Sequence, residues 1–178
     1  VHRRRSARPH AARLAAAALA LALAGGGCAY STSTALLPPH LKTVAVPVFE
    51  NTTSEYTLEQ QVTDAVIARF VADNHLRVVD ERSANLVVHG RILGYRNAVF
   101  GFNSATNANE YRVTIEIAVT LKDQVKNREL WNDPTLVRTA NYYVVDVPGE
   151  KARTEVDGRK DAITKIADEI FARTVEGW

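Results

Sequence analysis

Residues 111–122 read Tyr-Arg-Val-Thr-Ile-Glu-Ile-Ala-Val-Thr-Leu-Lys, and their alternation is unbroken. Tyr111, Val113, Ile115, Ile117, Val119 and Leu121 are separated by Arg112, Thr114, Glu116, Ala118, Thr120 and Lys122. Successive side chains of a strand point to opposite faces. This spacing therefore predicts a half-buried antiparallel strand with one core face and one outward face. A domain built on such a strand needs other strands beside it and a layer over its apolar side.

Both flanks supply strands. After the stretch, Asp123 to Arg128 predicts a turn and Leu130-Trp131 resumes the sheet. Asn132-Asp133-Pro134 predicts a second turn. Thr135 to Val147 then continues the sheet until Pro148-Gly149. Before the stretch, Gly101–Asn109 is a polar loop with three asparagines, and Leu86 to Val99 predicts a long strand. Leu86, Val88 and Ile92 face one way; His89, Arg91 and Tyr95 face the other. Gly90 and Gly94 share the apolar face and mark a bend or the close approach of a helix.

The covering layer is helical. Leu58, Val62, Ala65, Val66 and Phe70 recur at helical spacing and predict a helix from about Tyr56 to Ala72. Thr57 with Gln60 resembles a capping box, and Asn74 suits the C-terminal cap. Ile163, Ile166, Ala167 and Ile170 stripe a final helix, firm from Arg159, with Glu150 to Gly158 as a charged lead-in. Thr43 to Glu50 predicts a first strand with Val44, Val46 and Val48 on one face, and Pro47, which cannot donate to a ladder, puts the strand at a sheet edge there or has its amide facing outward. Leu76 to Asp80 is a short strand, and Ser83-Ala84-Asn85 a break. The class is α+β: a small mixed, mainly antiparallel sheet of about four strands with two helices packed on one face.

The N-terminus has a different composition. Five arginines among residues 3–13 precede an Ala/Leu run from Leu14 to Ala24, then Gly25-Gly26-Gly27 and Cys28, the only cysteine. A basic start, a short apolar run and small residues make a secretory signal. The run is shorter than the roughly 20 apolar residues a spanning helix needs. The chain starts with Val and contains no Met, so translation from an alternative start codon is expected. A cysteine directly after small residues resembles the lipobox of bacterial lipoproteins, although Gly25 stands where Leu is usual. The resemblance implies cleavage between Gly27 and Cys28, acylation of the Cys28 thiol and an anchor in the membrane through lipid. Ala29 in place of Asp favours the outer membrane. The expected divisions are a signal peptide over 1–27, a lipidated tether over 28–41 and one domain over 42–178.

Removing residues 1–27 takes five arginines and no acid with it, so a net charge of +2 becomes one of −3. The basic balance belongs to the leader and is no sign of a nucleic-acid partner. With Cys28 lipidated, no thiol is left for a disulfide, a nucleophile or a metal. His40, His75 and His89 lack metal-ligand spacing, and no Gly-rich phosphate loop follows a strand. Asp168 and Glu169 are helix neighbours that point different ways, so they make no acid/base pair. No catalytic, metal or cofactor residue is expected. Arg91, Arg112 and Lys122, on the outward face of the long strand pair, suit a phosphate or carboxylate, as does Arg138 near the far end of the sheet. The alternative is a solvated polar face in which they pair with acids such as Glu116. Phe100, Phe102, Tyr142 and Tyr143 gather at one end of the sheet, where exposed aromatics would suit a protein partner.

Several short pieces now identify a relative. Cys28-Ala29-Tyr30, Lys42 to Asn51 with Thr53, Leu76-Arg77-Val78-Val79, Ala84 to Gly90, Glu110 to Val113 and Val175-Glu176-Gly177-Trp178 resemble the LptE family. The resemblance implies an outer-membrane lipoprotein that sits in the lumen of the LptD β-barrel and helps it fold. It also implies a part in delivering lipopolysaccharide to the outer leaflet, by binding and not catalysis. Arg138, Arg112, Lys122 and Arg91 are then the candidate lipopolysaccharide contacts. Ala45 to Thr53, the helix and Leu76 to Asp80 are also similar to the start of lipoproteins such as CsgG and LpoB, a secretion pore component and a peptidoglycan synthase activator. The alternation of Tyr111–Leu121 and the terminal Gly-Trp favour the LptE family.

Overall fold

The computed structural model describes residues 37–175. The cleavage site Gly27–Cys28 and Val175's successors Glu176, Gly177 and Trp178 lie outside them, as does most of the expected tether. Three long antiparallel strands dominate: β4 (Leu86–Phe102), β5 (Ala108–Asp123) and β6 (Arg128–Tyr143). Short strands β1 (Thr43–Ala45), β2 (Glu50–Asn51) and β3 (Arg77–Val78) complete a six-stranded mixed sheet. Its order is β3-β1-β4-β5-β6, with β2 also paired to β4 in parallel. Helices α1 (Leu58–Asp73) and α2 (Glu155–Val175) pack against each other and cover one face.

The expected α+β class holds, with six strands in place of about four. The difference lies in the first strand. β1 and β2 are two pieces of one path along β4, split over residues 46–49, where Pro47 has no N–H to give a ladder. The split also changes which residues are buried. Val44 and Val46 enter the core as expected, but Val48 is exposed and Phe49 is buried in its place. The Phe49 N–H donates to Thr63 Oγ1 on α1 at 3.0 Å. The Phe49 ring lies on Gly90, where a Cβ would meet it at 2.3 Å. The close approach at Gly90 is thus by an aromatic ring, not a helix.

β5 behaves as read: Val113, Ile115, Ile117, Val119 and Leu121 are all buried. β4 does not keep its parity. Ile92 pairs with Ile117 but Gly94 with Glu116, so Leu93 is an extra residue. This bulge turns Tyr95 onto the helix-covered face, opposite Ile115, and Gly94 onto the open one. Both positions reverse the expectation. In β6, Asn132-Asp133-Pro134 is no turn. The strand runs through it with Pro134 and Thr135 as a bulge, since Ile117 pairs with Leu136 and Val119 with Asp133. An edge strand tolerates this proline. The strand ends at Tyr143, short of the expected Val147.

Leu58, Val62, Val66 and Phe70 of α1 are fully buried. Thr57 makes no side-chain cap, and its φ of 63° puts a β-branched residue in the left-handed region. Gln60 donates instead to Asp64. Asn74 caps the other end, its N–H reaching the Phe70 carbonyl. A reciprocal cap does occur at α2: the Thr154 N–H donates to Asp157 Oδ2 at 2.8 Å, and the Asp157 N–H to Thr154 Oγ1 at 3.3 Å. It starts the helix inside the charged lead-in. Ile163, Ile166, Ala167 and Ile170 then form the buried stripe.

The end of the expected tether already belongs to the domain. Leu41 is buried, Leu37 packs on the core, and His40 Nε2 donates to Asp123 Oδ2 at 3.0 Å. Burial alone would raise the Asp123 carboxyl. Hydrogen bonds from His40 and the Lys126 N–H outweigh it and hold the group below the usual carboxylate range.

Two outcomes are expected. Gly90→Ala forces the Phe49 ring aside and lowers the free energy of unfolding in urea by about 1–3 kcal/mol. A group with a depressed folded pKa contributes stability above its unfolded pKa and loses it as pH falls through the folded value. Asp123 therefore stabilises fully above about pH 5 and progressively less below about pH 4. The urea midpoint should fall across that window, and less steeply in Asp123→Asn.

Candidate functional site

The face opposite the helices is open over most of β4, β5 and β6. At one corner Val87 packs with Ala45, Ala84 and Val79 in a small second cluster. Beyond that corner, parity and the bulge at Leu93 present His89, Arg91 and Arg96 from β4 and Arg112, Glu116 and Lys122 from β5.

Each expected contact residue has a definite setting. Arg91 Nε donates to Glu50 Oε2 at 2.6 Å, with both side chains more than half exposed. Arg112 Nε donates to Asn141 Oδ1 at 2.8 Å, and its guanidinium lies 3.5 Å over the Phe100 ring. Lys122 opposes Glu129 in β6. These three share the open face. Arg138 does not join them. It opposes Ile115 on the helix-covered side, and its Nη2 lies 2.7 Å from Glu169 Oε2 on α2. Arg173 donates to Glu169 Oε1 and to Asp133 Oδ2, each at 2.7 Å. The hydrogen bonds from Arg138 and then Arg173 hold the Glu169 carboxyl below its ordinary range.

Two shallow grooves mark the open face. One, of about 380 Å³, is lined by Glu50, His89, Arg91, Ala118 and Pro134 among others. The second, of about 210 Å³, lies between Arg96, Ala98, Phe100, Arg112 and Thr114. Arg96 escaped the sequence reading because strict alternation from Leu86 sends it to the core. The signal was present: an arginine on a predicted core face, two residues after a glycine, marks a parity break. Among the described residues Arg96 has no ion-pair partner.

The first groove brings His89 beside one carboxylate, Glu50, which Arg91 already holds. His89 Nε2 lies 4.0 Å from Glu81. This arrangement contains no nucleophile and base in hydrogen-bond reach. Among the described residues no group of three His, Cys, Asp or Glu is placed to hold a metal. Nor, among them, is any helix long and apolar enough to cross a membrane. What the face offers chemically is guanidinium and hydroxyl donors on three paired strands, with exposed Phe100 and Phe102 toward the hairpin end.

Other proteins share this architecture. Protein XCC0632 of Xanthomonas campestris superposes with a TM-score of 0.55 at 13% identity, covering 79% of this chain and 90% of that one. The hypothetical protein CT253 of Chlamydia trachomatis does so with 0.52 at 12% identity, over 75% and 95% of the two chains. At such identities the likeness is one of fold. No curated protein matches the chain in sequence. A family model described as LptE, lipopolysaccharide-assembly, matches residues 41–174. That span runs from the first buried leucine through nearly all of α2, and the chain belongs to the LptE family of lipopolysaccharide-assembly proteins.

Proposed function

We propose that this chain is a lipid-anchored outer-membrane protein whose domain plugs the LptD β-barrel, helps it fold and takes part in moving lipopolysaccharide to the outer leaflet. It acts by binding and not by catalysis. The observation that carries this reading, given the family, is the open sheet face. Three strands of 16 or 17 residues, each roughly 50 Å long, are stiffened from behind by two helices. They present polar and cationic side chains to whatever lies in front.

A large barrel has a polar interior lined by alternating side chains, and a plug must match it with a rigid polar surface. The domain meets that demand with side chains that already hydrogen-bond one another. Arg112, Asn141 and Glu110 form one such row across β5 and β6, where Asn141 Nδ2 donates to Glu110 Oε1 at 2.7 Å.

Position along the sheet supports the same reading. The chain enters at the end where Leu86 pairs with Asp123 and His40 bonds Asp123. The β4–β5 hairpin closes at the opposite end, where Phe102 pairs with Ala108. A lipid on Cys28 would hold the first end near the membrane surface and send the second end away along the sheet. Arg91, Arg112 and Lys122, with Arg96, lie on the path between. They are the residues we assign to lipid or barrel contact. Arg138 is engaged with Glu169 and serves the packing of α2.

The deciding experiment is a mild-detergent pull-down of the tagged chain from outer membranes, with mass spectrometry of what accompanies it. A large β-barrel in one-to-one ratio is expected. A peptidoglycan synthase, or a ring of this chain alone, would overturn the plug reading in favour of a CsgG- or LpoB-like role. The anchor is tested separately. With residues 1–27 exchanged for an ordinary cleavable secretory signal and Cys28→Ala, the folded domain should move from the membrane pellet to the periplasmic fraction when the barrel is depleted. Retention in the pellet would refute anchoring through Cys28.

A further inference from the structure

β6 is a 16-residue strand at the edge of the sheet, and among the described residues its outer side faces no other strand. Such an edge carries a row of N–H and C=O groups able to pair with a strand from another molecule. In this chain the carbonyls of that row are mostly occupied. In an antiparallel strand the two peptide groups of one residue point to the same side, and successive residues alternate. Donors from outside the ladder reach the carbonyls of Val137, Thr139 and Tyr143, all of one parity. Arg138 Nη1 donates to the Val137 carbonyl at 2.7 Å. Lys165 Nζ, arching from α2, donates to the Thr139 carbonyl at 2.8 Å. The Arg153 N–H, just before α2, donates to the Tyr143 carbonyl at 2.6 Å.

The preceding part of the edge is blocked by other means. Pro134 has no N–H, and the bulge it shares with Thr135 kinks the strand. The Thr135 N–H donates to Asp133 Oδ1 at 3.0 Å. Asp133 is itself held by Arg173 from α2 at 2.7 Å. Among Val137, Thr139, Asn141 and Tyr143, the residues of that parity, Asn141 is the one whose carbonyl receives no such donor.

We infer that β6 is a guarded edge, its outward carbonyls capped by Lys165, Arg138 and Arg153 and its start kinked at the Pro134–Thr135 bulge, so that a strand from a second copy of this chain does not add along β6. The inference is independent of the barrel reading, because it concerns the edge of this chain whatever lies before its face. It also gives Arg138 a second task besides its pairing with Glu169, and Lys165 a role that its place on the exposed side of α2 would not announce.

The test removes the caps and looks for strand pairing between copies. Lys165→Met keeps the aliphatic stem and loses the donor; Arg138→Met does the same at the second carbonyl. The full lipidated chain is purified in detergent, and the mass of its protein component is measured by light scattering. Amide hydrogen exchange is followed in parallel. In the parent chain one copy per particle is expected, with fast exchange at the Thr139 and Asn141 amides. In the double variant the protein mass should rise at least about twofold, and those amides should slow by roughly tenfold or more as they enter a new ladder. Lys160→Met, an equal loss of charge on the exposed side of α2, should leave both readings as in the parent. If Arg138→Met loosens α2, Lys165→Met alone decides, because it leaves the Arg138–Glu169 pair intact. One copy per particle with unchanged exchange in both variants overturns the inference, as does equal association in Lys160→Met.

Discussion

The structure depends on the parity of β5. Its odd-numbered residues from Val113 to Leu121 are all buried, and a one-residue slip would exchange the whole core face for Arg112, Glu116 and Lys122. That cost fixes β5 as the reference line to which both neighbours conform. Where β4 or β6 carries a residue too many, it is expelled as a bulge: Leu93 and Phe100 in β4, Leu130 and the Pro134–Thr135 pair in β6. Each bulge restores register beyond it and adds local twist. The bulges therefore decide which side chains populate the open face. Arg96 faces outward and Tyr95 inward because of Leu93 alone.

The bulge at Leu93 also builds the support behind the face. Turned inward, Tyr95 donates its hydroxyl proton to Glu155 Oε1 at 2.5 Å and accepts from Arg159 Nε at 3.1 Å. Arg159 in turn reaches Glu55 ahead of α1 at 3.3 Å. Burial and then the Glu155 hydrogen bond push the Tyr95 phenol up, so it stays a neutral donor. The hydrogen bond from Tyr95 holds Glu155 below the ordinary carboxylate range despite its partial burial. One extra residue in β4 thus ties the start of α2 to the sheet and to the loop before α1. A network of this kind is worth most when every member has a partner, as here.

How much of this was legible follows from the range of each signal. The alternation in β5 and the stripes Leu58–Phe70 and Ile163–Ile170 are local patterns repeated over several turns or residues, and they identify the elements and the class. The breaks are set by single residues answering to distant partners. Nothing near Phe49 says that its ring will lie on Gly90, which displaces Val48 from the core. Pro134 reads as a turn by its neighbours Asn132 and Asp133. It becomes a bulge only because β6 is at the edge, where a missing N–H costs no ladder bond. The cap at Thr57 fails for a similar reason: the loop before it is organised by Asn51, which accepts from the Thr53 N–H and donates to Glu59. The candidate site inherits these limits. Arg91, Arg112 and Lys122 precede or avoid the parity break and were placed on the right face, whereas Arg96 follows the break and Arg138 lies on the opposite side of the sheet.

Charge on the open face bears on how it works. Arg91 is engaged by Glu50, and Arg112 by Asn141 and the Phe100 ring, so the cations are partly neutralised before any ligand arrives. Exposed pairs of this sort contribute little stability, about 0–1 kcal/mol each. Their greater effect is positional: each guanidinium is held at a known place and angle with donor groups to spare. A face of fixed, half-satisfied donors has little long-range attraction for anions, and its contacts form at close range through matched hydrogen bonds. Beyond Arg112 toward the hairpin tip, residues 101–109 contain no charge at all, while Phe102 is 63% exposed. Along one surface the chain thus passes from arginines, through Phe100 against Arg112 and then Phe102, to an uncharged loop at the hairpin tip. On the proposed reading, a wall or lipid that complements this face changes in the same order, and that sequence of chemistries orients what docks there more strongly than any single arginine does.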